Sequence, residues 1–315
     1  MTNNQESRKH VKVLVICSLI ISILMIICGY LKFRETTPYN VATKETRYIS
    51  SEQEIKSLSE AMFNDECFLT KDIKISNPDT RIGTDEYPFE GVFDGNGHTI
   101  YLSYKTIDKG ISLFGKIAKG AIIKNVNFVI ESTTISVNTS LIARINEGTI
   151  TNCIISFPNL EISAPSTVTP LISTNKGAIS NVYVVGKFTN KDMNLENEKK
   201  TTAASLCIYN WGTINNSIVE VEYSGFKTTD KQAVLEGTLT NENFAAVIFS
   251  NVGICENNRV LVSDNTYLID RSMDFVSNND RKNVLNEETV FKTMNFDKKF
   301  WSLTNEKLLL IIAEG

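Results

Sequence analysis

A seven-residue pattern occurs four times in this chain. Asn146-Glu147-Gly148-Thr149-Ile150-Thr151-Asn152 returns as Asn175-Lys176-Gly177-Ala178-Ile179-Ser180-Asn181 and as Asn210-Trp211-Gly212-Thr213-Ile214-Asn215-Asn216. The last copy, Asn251-Val252-Gly253-Ile254-Cys255-Glu256-Asn257, has Cys where the others have Ile. Each copy follows a small apolar strand: LIARI, LIST, LCIY or VIFS. A looser copy, SLFGKIAKGAIIKNV, comes first, with Gly120 in register and Asn125 one place late. One repeat of this size cannot bury its own apolar face, so the pattern calls for stacking. The expected product is a coil of short strands, with turns ~4.8 Å apart. One strand ends at the first Asn, the chain turns at Gly, and Ile opens the next strand pointing inward. Gly and Asn accept left-handed backbone angles with little strain. Asn at equivalent positions of stacked turns can also hydrogen-bond from turn to turn as a ladder. Asn is in excess, with 32 among 315 residues, and two recurring turn positions account for part of that.

The repeat glycines, from Gly120 to Gly253, are 28, 29, 35 and 41 residues apart. The added length lies in FPNLEISAPSTVTP, KFTNKDMNLENEKKTTAA and YSGFKTTDKQAVLEGTLTNEN, which are expected to emerge on one face, as solvated decorations or as a binding face. Before the coil, SSEQEIKSLSEAMF places Ile55, Leu58, Met62 and Phe63 on one helical face. Ser51 and Glu54 fit a capping box there, so a helix of about three turns is expected as a cap. After residue 262 the pattern changes. A helical start at Asn286-Glu287-Glu288, with Val290, Phe291 and Met294 in helical spacing, leads to Phe300-Trp301 and the run Leu308 to Ile312. A solenoid needs its open ends covered, and this segment is expected to cap the far end.

Val13 to Leu31 has no charge in nineteen residues. At ~1.5 Å per residue this spans roughly 28 Å, close to a bilayer core. No small-residue cleavage pattern follows, and Ile27 does not suit a lipidated Cys28, so a signal anchor is expected rather than a cleaved peptide. The organisation read from sequence is a cytoplasmic tail (1–12), a transmembrane anchor (13–31), a stalk (32–50), a coil with its cap helix (51–262) and a carboxyl-terminal cap (263–315). The expected location is a cell membrane, crossed once, with the folded part outside the cytoplasm.

Chemistry is sparse. The only two His, His10 and His98, leave little room for His-based metal sites or triads. A net charge of −4 and a pI near 5.5 argue against a nucleic-acid partner. Cys67, Cys153, Cys207 and Cys255 form no C-x-x-C pair and read as small core residues. Asp94-Gly95-Asn96-Gly97-His98 lacks the spacing of a cation loop and reads as a tight turn. Glu131, Glu147, Glu220 and Glu256 share no register, so no catalytic, metal or cofactor residue is assigned. Tyr183, Tyr209 and Trp211 lie near turns, where an aromatic ring can stack on a sugar; core packing is the competing role.

PFEGVFDGNGHTIYLS, followed by ISLFGKIAKGAIIKNV, resembles the entry to the GLUG-motif β-helices of bacterial surface proteins, some of which are attached to large zinc peptidases or adhesins. The preceding helix with LTKDIKI and the FDKKFWSL ending also resemble that family's caps, so the likeness runs over about 50–312. Ser112 stands where the motif has its first Gly, and Gly115 gives way to Ala143, Ile172, Cys207 and Ile248 in later turns. The resemblance implies a mainly β fold, a right-handed parallel β-helix outside the cell, with no catalytic residues. The function expected is non-catalytic surface binding or adhesion to a glycan or protein. The alternatives are a scaffold in an envelope assembly, or a polysaccharide lyase or glycosidase.

Overall fold

A computed structural model describes residues 44–58, 64–77, 79–191, 201–226, 244–261, 275–277 and 280–312. All of them fall in one compact unit, Lys44–Gly315. The tail, the expected span at 13–31 and residues 32–43 lie outside the described residues. Among those described, no helix is long and apolar enough to cross a membrane.

The chain is mainly β, and its strands pair in parallel from turn to turn, consistent with a parallel β-solenoid. Among the described residues three stacks carry the repeat, and shorter ladders such as Thr106–Ile107 on Thr133–Ile135 extend them. Stack I contains Phe114–Ile117, Ala143–Asn146, Ile172–Asn175, Thr202–Asn210 and Phe244–Asn251. Stack II runs from Thr46–Ile49 through Glu66–Leu69, Val92–Asp94 and Ile122–Lys124 to the starts of Thr149–Ile162 and Ala178–Asn190, then Thr213–Asn215 and Ile254–Glu256. Stack III runs from Ile73–Ile75 through Thr99–Leu102 and Asn127–Ile130, along the two long strands, to Ile218–Ser224 and Asn258–Leu261. The inward Ile of the repeat forms one file with earlier residues: Phe93, Ile123, Ile150, Ile179, Ile214 and Cys255, all buried.

Three physical devices divide the turn among them. The first Asn makes the ladder. Asn146 Nδ2 donates to Asn175 Oδ1 at 2.8 Å, Asn175 Nδ2 to Asn210 Oδ1 at 2.8 Å, and Asn210 Nδ2 to Asn251 Oδ1 at 2.7 Å. The second Asn takes the left-handed angle, with φ of 51°, 52°, 49° and 53° at Asn152, Asn181, Asn216 and Asn257. The repeat Gly does something else. Gly148, Gly177, Gly212 and Gly253 are not left-handed; a Cβ on Gly177 would lie 2.0 Å from Gly148 O, and one on Gly212 2.1 Å from Gly177 O. Glycine is required there because successive backbones touch, not because of its φ. Gly120 is the exception at φ 90°. Lys124 pairs with Thr151, so Asn125 is aligned with Asn152, and the turn around Gly120 is the part out of register.

The ends differ from expectation. Thr46–Ile49 pairs with Glu66–Leu69, so the coil begins inside the expected stalk. The cap helix is Glu52–Ser57, shorter than three turns, and Met62 and Phe63 lie outside the described residues. Ser51 Oγ accepts the Glu54 N–H, while the Glu54 carboxylate takes the Ser50 N–H, so the reciprocal bond is shifted by one residue. Glu52 Oε1 accepts from Ser76 and Asn77 N–H at the end of Ile73–Ile75, the first strand of stack III. Of the expected insertions, FPNLEISAPSTVTP is mostly regular: the strand Thr149–Ile162 takes up its first half and pairs with the next turn, and Thr167–Thr169 forms a separate strand. The longest parts of the other two, 192–200 and 227–243, lie outside the described residues.

In the carboxyl-terminal segment, Phe275–Ser277 pairs in parallel with Asn258–Leu261 at the end of stack III, and residues 280–312 form a strap along the side of the coil. The strap comprises a short helix Arg281–Val284, a π-helical turn Glu288–Thr293 whose Thr289 N–H is capped by Asn286 Oδ1, and the hairpin Trp301–Thr304 with Lys307–Leu310. Val284, Leu285, Val290, Met294, Phe296, Trp301 and Leu308 pack on Ile154, Tyr183 and Ile218. Those three form one outward column of stack III, each two residues after a left-handed Asn. The Asn side chains also hold the strap: Trp301 Nε1 donates to Asn152 Oδ1, Asn181 Nδ2 to Asn295 O, and Asn257 Nδ2 to Thr293 O. An apolar column on an outer wall needs cover, and the strap provides it.

Candidate functional site

The three aromatic candidates separate in space. Tyr183 is buried beneath the strap, with its hydroxyl on the Glu220 carboxylate, which also receives Arg281. Burial first, then the Glu220 charge, pushes its phenol far above the ordinary tyrosine range. At 4% exposure its ring is packed under the strap, at the wall of a separate small cavity shared with Arg281 and Lys307 and away from the other two aromatic candidates. Trp211 is exposed at the corner between stacks I and II, in the variable position of the repeat turn. Tyr209 lies on stack I, 43% exposed, with Phe249 nearly perpendicular to it at 6.0 Å.

Tyr209 stands at the rim of a cleft of about 370 Å³ that runs along stack I. Five successive turns contribute to it: Arg81; then Ser112; then Asn138, Thr139, Ser140 and Arg144; then Thr167 and Ser173; then Ile208 and Tyr209. Four intervals of ~4.8 Å make this roughly 19 Å long. Its lining mixes hydroxyls, one amide and two guanidinium groups with Ile111, Ile208 and the Tyr209 ring, and no lining residue is a carboxylate. A two-carboxylate glycosidase mechanism therefore has no residues in this cleft.

Local geometry explains how the cleft is kept open. Arg81 reaches in beside Gly115, where a Cβ would meet Gly83 O at 2.3 Å and Arg81 Cδ at 3.1 Å. Gly83, at φ 70°, makes the turn that brings the chain there. Asn138 Oδ1 accepts the Thr167 N–H at 2.8 Å, tying two turns together. Arg144 pairs with Asp85, and both side chains are well exposed. Ser112, Thr139 and Ser140 are buried at the floor.

Among the described residues there is no group of three or more His, Cys, Asp or Glu that could hold a metal ion. Cys67, Cys153 and Cys207 are buried free thiols, and Cys255 is buried as well. Burial pushes the thiols of Cys67 and Cys153 up to about 12, so they are poor nucleophiles near neutral pH. Asp94-Gly95-Asn96-Gly97 forms a turn, with Asp94 Oδ1 accepting Asn96 N–H and Asn125 Nδ2, and with Asn96 at φ 51°.

Of the three aromatic candidates Tyr209 alone lines this cleft, and the other lining residues were not candidates from the sequence. Arg144, Ser173 and Ile208 each stand two places before the first Asn, so repeat alignment alone puts them in one column. Arg81 precedes the first recognisable copy and had no such signal. No family model, no curated protein and no solved structure matches the chain.

Proposed function

We propose that this chain is a non-catalytic binding module, held at a cell membrane by residues 13–31, whose coil presents the stack I cleft to a glycan outside the cytoplasm. The coil is taken as right-handed, in keeping with the GLUG-type resemblance. The observation that carries the reading is the half-exposed Tyr209 ring at the rim of a cleft lined by hydroxyls and amides. Saccharides offer matching donors and acceptors along their edges and apolar C–H faces for an aromatic ring.

The test is a saccharide array probed with the full-length chain in detergent. Binding that is lost in Tyr209→Ala, with an unchanged circular-dichroism melt, supports the reading. A folded wild type that binds no saccharide refutes it. Accumulation of an unsaturated uronate, followed by its ultraviolet absorbance, would favour the lyase alternative. Protease shaving of intact cells tests the location: a protected 44–315 region with a cleaved amino terminus would reverse the topology.

A scaffold role has its own supporting observation. Trp211, Val252 and Ile254 are exposed at 62%, 68% and 54% at one corner of the last turns, an apolar patch suited to a protein partner. A partner retained on gentle solubilisation and lost in Trp211→Ser would favour it.

A further inference from the structure

We infer that the stack I cleft selects an acid-bearing sugar, a uronate-type residue whose carboxylate is held by Arg81 while its hydroxyls meet the Ser and Thr floor. This rests on the glycan-binding reading and adds the ligand class. Arg81 is a cation without an ion-pair partner: among the described residues no carboxylate lies within 4 Å of it, and its contact with Gly110 O is a long 3.4 Å. The nearby Asp79 is taken up by Lys109 at 2.5 Å. A guanidinium presents paired N–H donors in a plane, which matches the two oxygens of a carboxylate. Gly115 provides the room its stem occupies. Arg144 stands in the same cleft as a second cation, and its exposed pairing with Asp85 is weak enough to exchange for a ligand.

The floor carries a second, independent sign of a ligand. Thr139 is only 6% exposed, lines the cleft, and its Oγ1 has no hydrogen-bond partner. Buried hydroxyls are nearly always paired; Thr139 Oγ1 is itself covered, so a group in the cleft reaches it only after the side chain rotates. Asn138 uses its Oδ1 on Thr167 N–H, which leaves its amide hydrogens for an acceptor. None of the lining residues is a carboxylate; the nearest like charge an entering anion meets is Asp85, on Arg144, and it must give way there.

The test compares oligogalacturonate, oligoglucuronate and oligomannuronate with their carboxyl-reduced, neutral counterparts by calorimetry on the full-length chain. At least one acidic oligomer is expected to bind roughly 10- to 100-fold more tightly than its reduced form, the range of a hydrogen bond to a charged group. Arg81→Gln should erase that preference, with Arg81→Lys restoring part of it. Thr139→Val, close in shape, should weaken the same oligomer. Unchanged melts keep these losses from being read as unfolding. Equal binding of acidic and reduced oligomers overturns the ligand class and leaves glycan binding standing. Inorganic phosphate or sulfate competing as well as the oligomer overturns it as well, in favour of a plain anion site. If no saccharide binds at all, acidic or neutral, both readings fall.

Discussion

Replacing Asn175 by Ala removes the middle of the buried ladder. Asn175 is fully buried, donates to Asn210 Oδ1 and accepts from Asn146 Nδ2, both at 2.8 Å. Truncation leaves Asn146 Nδ2 with only a long 3.4 Å approach to Ala178 O. Asn210 Oδ1 keeps the Gly212 N–H at 3.2 Å, so its loss is partial. A buried polar group left unpaired costs about 1–3 kcal/mol, and one full loss with one partial loss gives about 2–4 kcal/mol. Domain stabilities are only about 5–15 kcal/mol, so the effect should be large. With a urea slope near 3 kcal/mol/M, the midpoint should fall by about 1 M. The assay is urea unfolding of the full-length chain, followed by circular dichroism, with Lys176→Ala as the neighbouring control. Lys176 is 53% exposed and its ion pair with Glu147 is long at 3.7 Å, so that variant should stay within about 0.5 kcal/mol of wild type. Asn175→Asp adds a sign. Its carboxylate would face the Asn210 Oδ1 acceptor in a dry interior, so the folded state raises the carboxyl pKa. Stability is then retained below the unfolded value of about 3.9 and lost as pH rises through the folded value. The variant should be weaker at pH 7 than at pH 4. Equal midpoints and slopes for Asn175→Ala and Lys176→Ala would refute the claim that the ladder stabilises the coil.

Gly177→Ala should be severe, because its Cβ would sit 2.0 Å from Gly148 O and force two turns apart. Gly120→Ala, with open space but φ 90°, should cost only about 1–2 kcal/mol of backbone strain; paired thermal melts separate the two. Trp301→Ala empties a fully buried site under the strap and should cost about 3–5 kcal/mol, with faster proteolysis within 281–312 as the readout. Cys67 and Cys153, with thiols near 12, should resist iodoacetamide at pH 8 in the native chain and react once it is denatured, as peptide mapping would show.

The repeat turn was legible because its physics is local. An inward Ile, a left-handed Asn and a ladder Asn are written within seven residues, and stacking follows from the inability of one turn to bury its own face. The role of the repeat Gly was not legible. A glycine kept for its φ and one kept for close backbone contact look alike in sequence, and only the distance from Gly177 to Gly148 tells them apart. The aromatic candidates show the same limit. Tyr183 and Tyr209 are both tyrosines close to a repeat turn, yet one is under the strap and the other at the rim of a cleft.

What the sequence determined by itself, therefore, is the parallel coil, its period and the identity of the turn residues. The tertiary structure alone decided where the carboxyl-terminal segment lies and which side chains share a cleft. Both depend on contacts over long separations: Trp301 bonds Asn152 across 149 residues, and Arg81 shares a cleft with Tyr209 across five turns. Such contacts depend on the register of stacked turns and on an apolar column, Ile154, Tyr183 and Ile218, that the strap covers. Local propensity carries no record of that choice, because it is made by burial between segments far apart in the sequence.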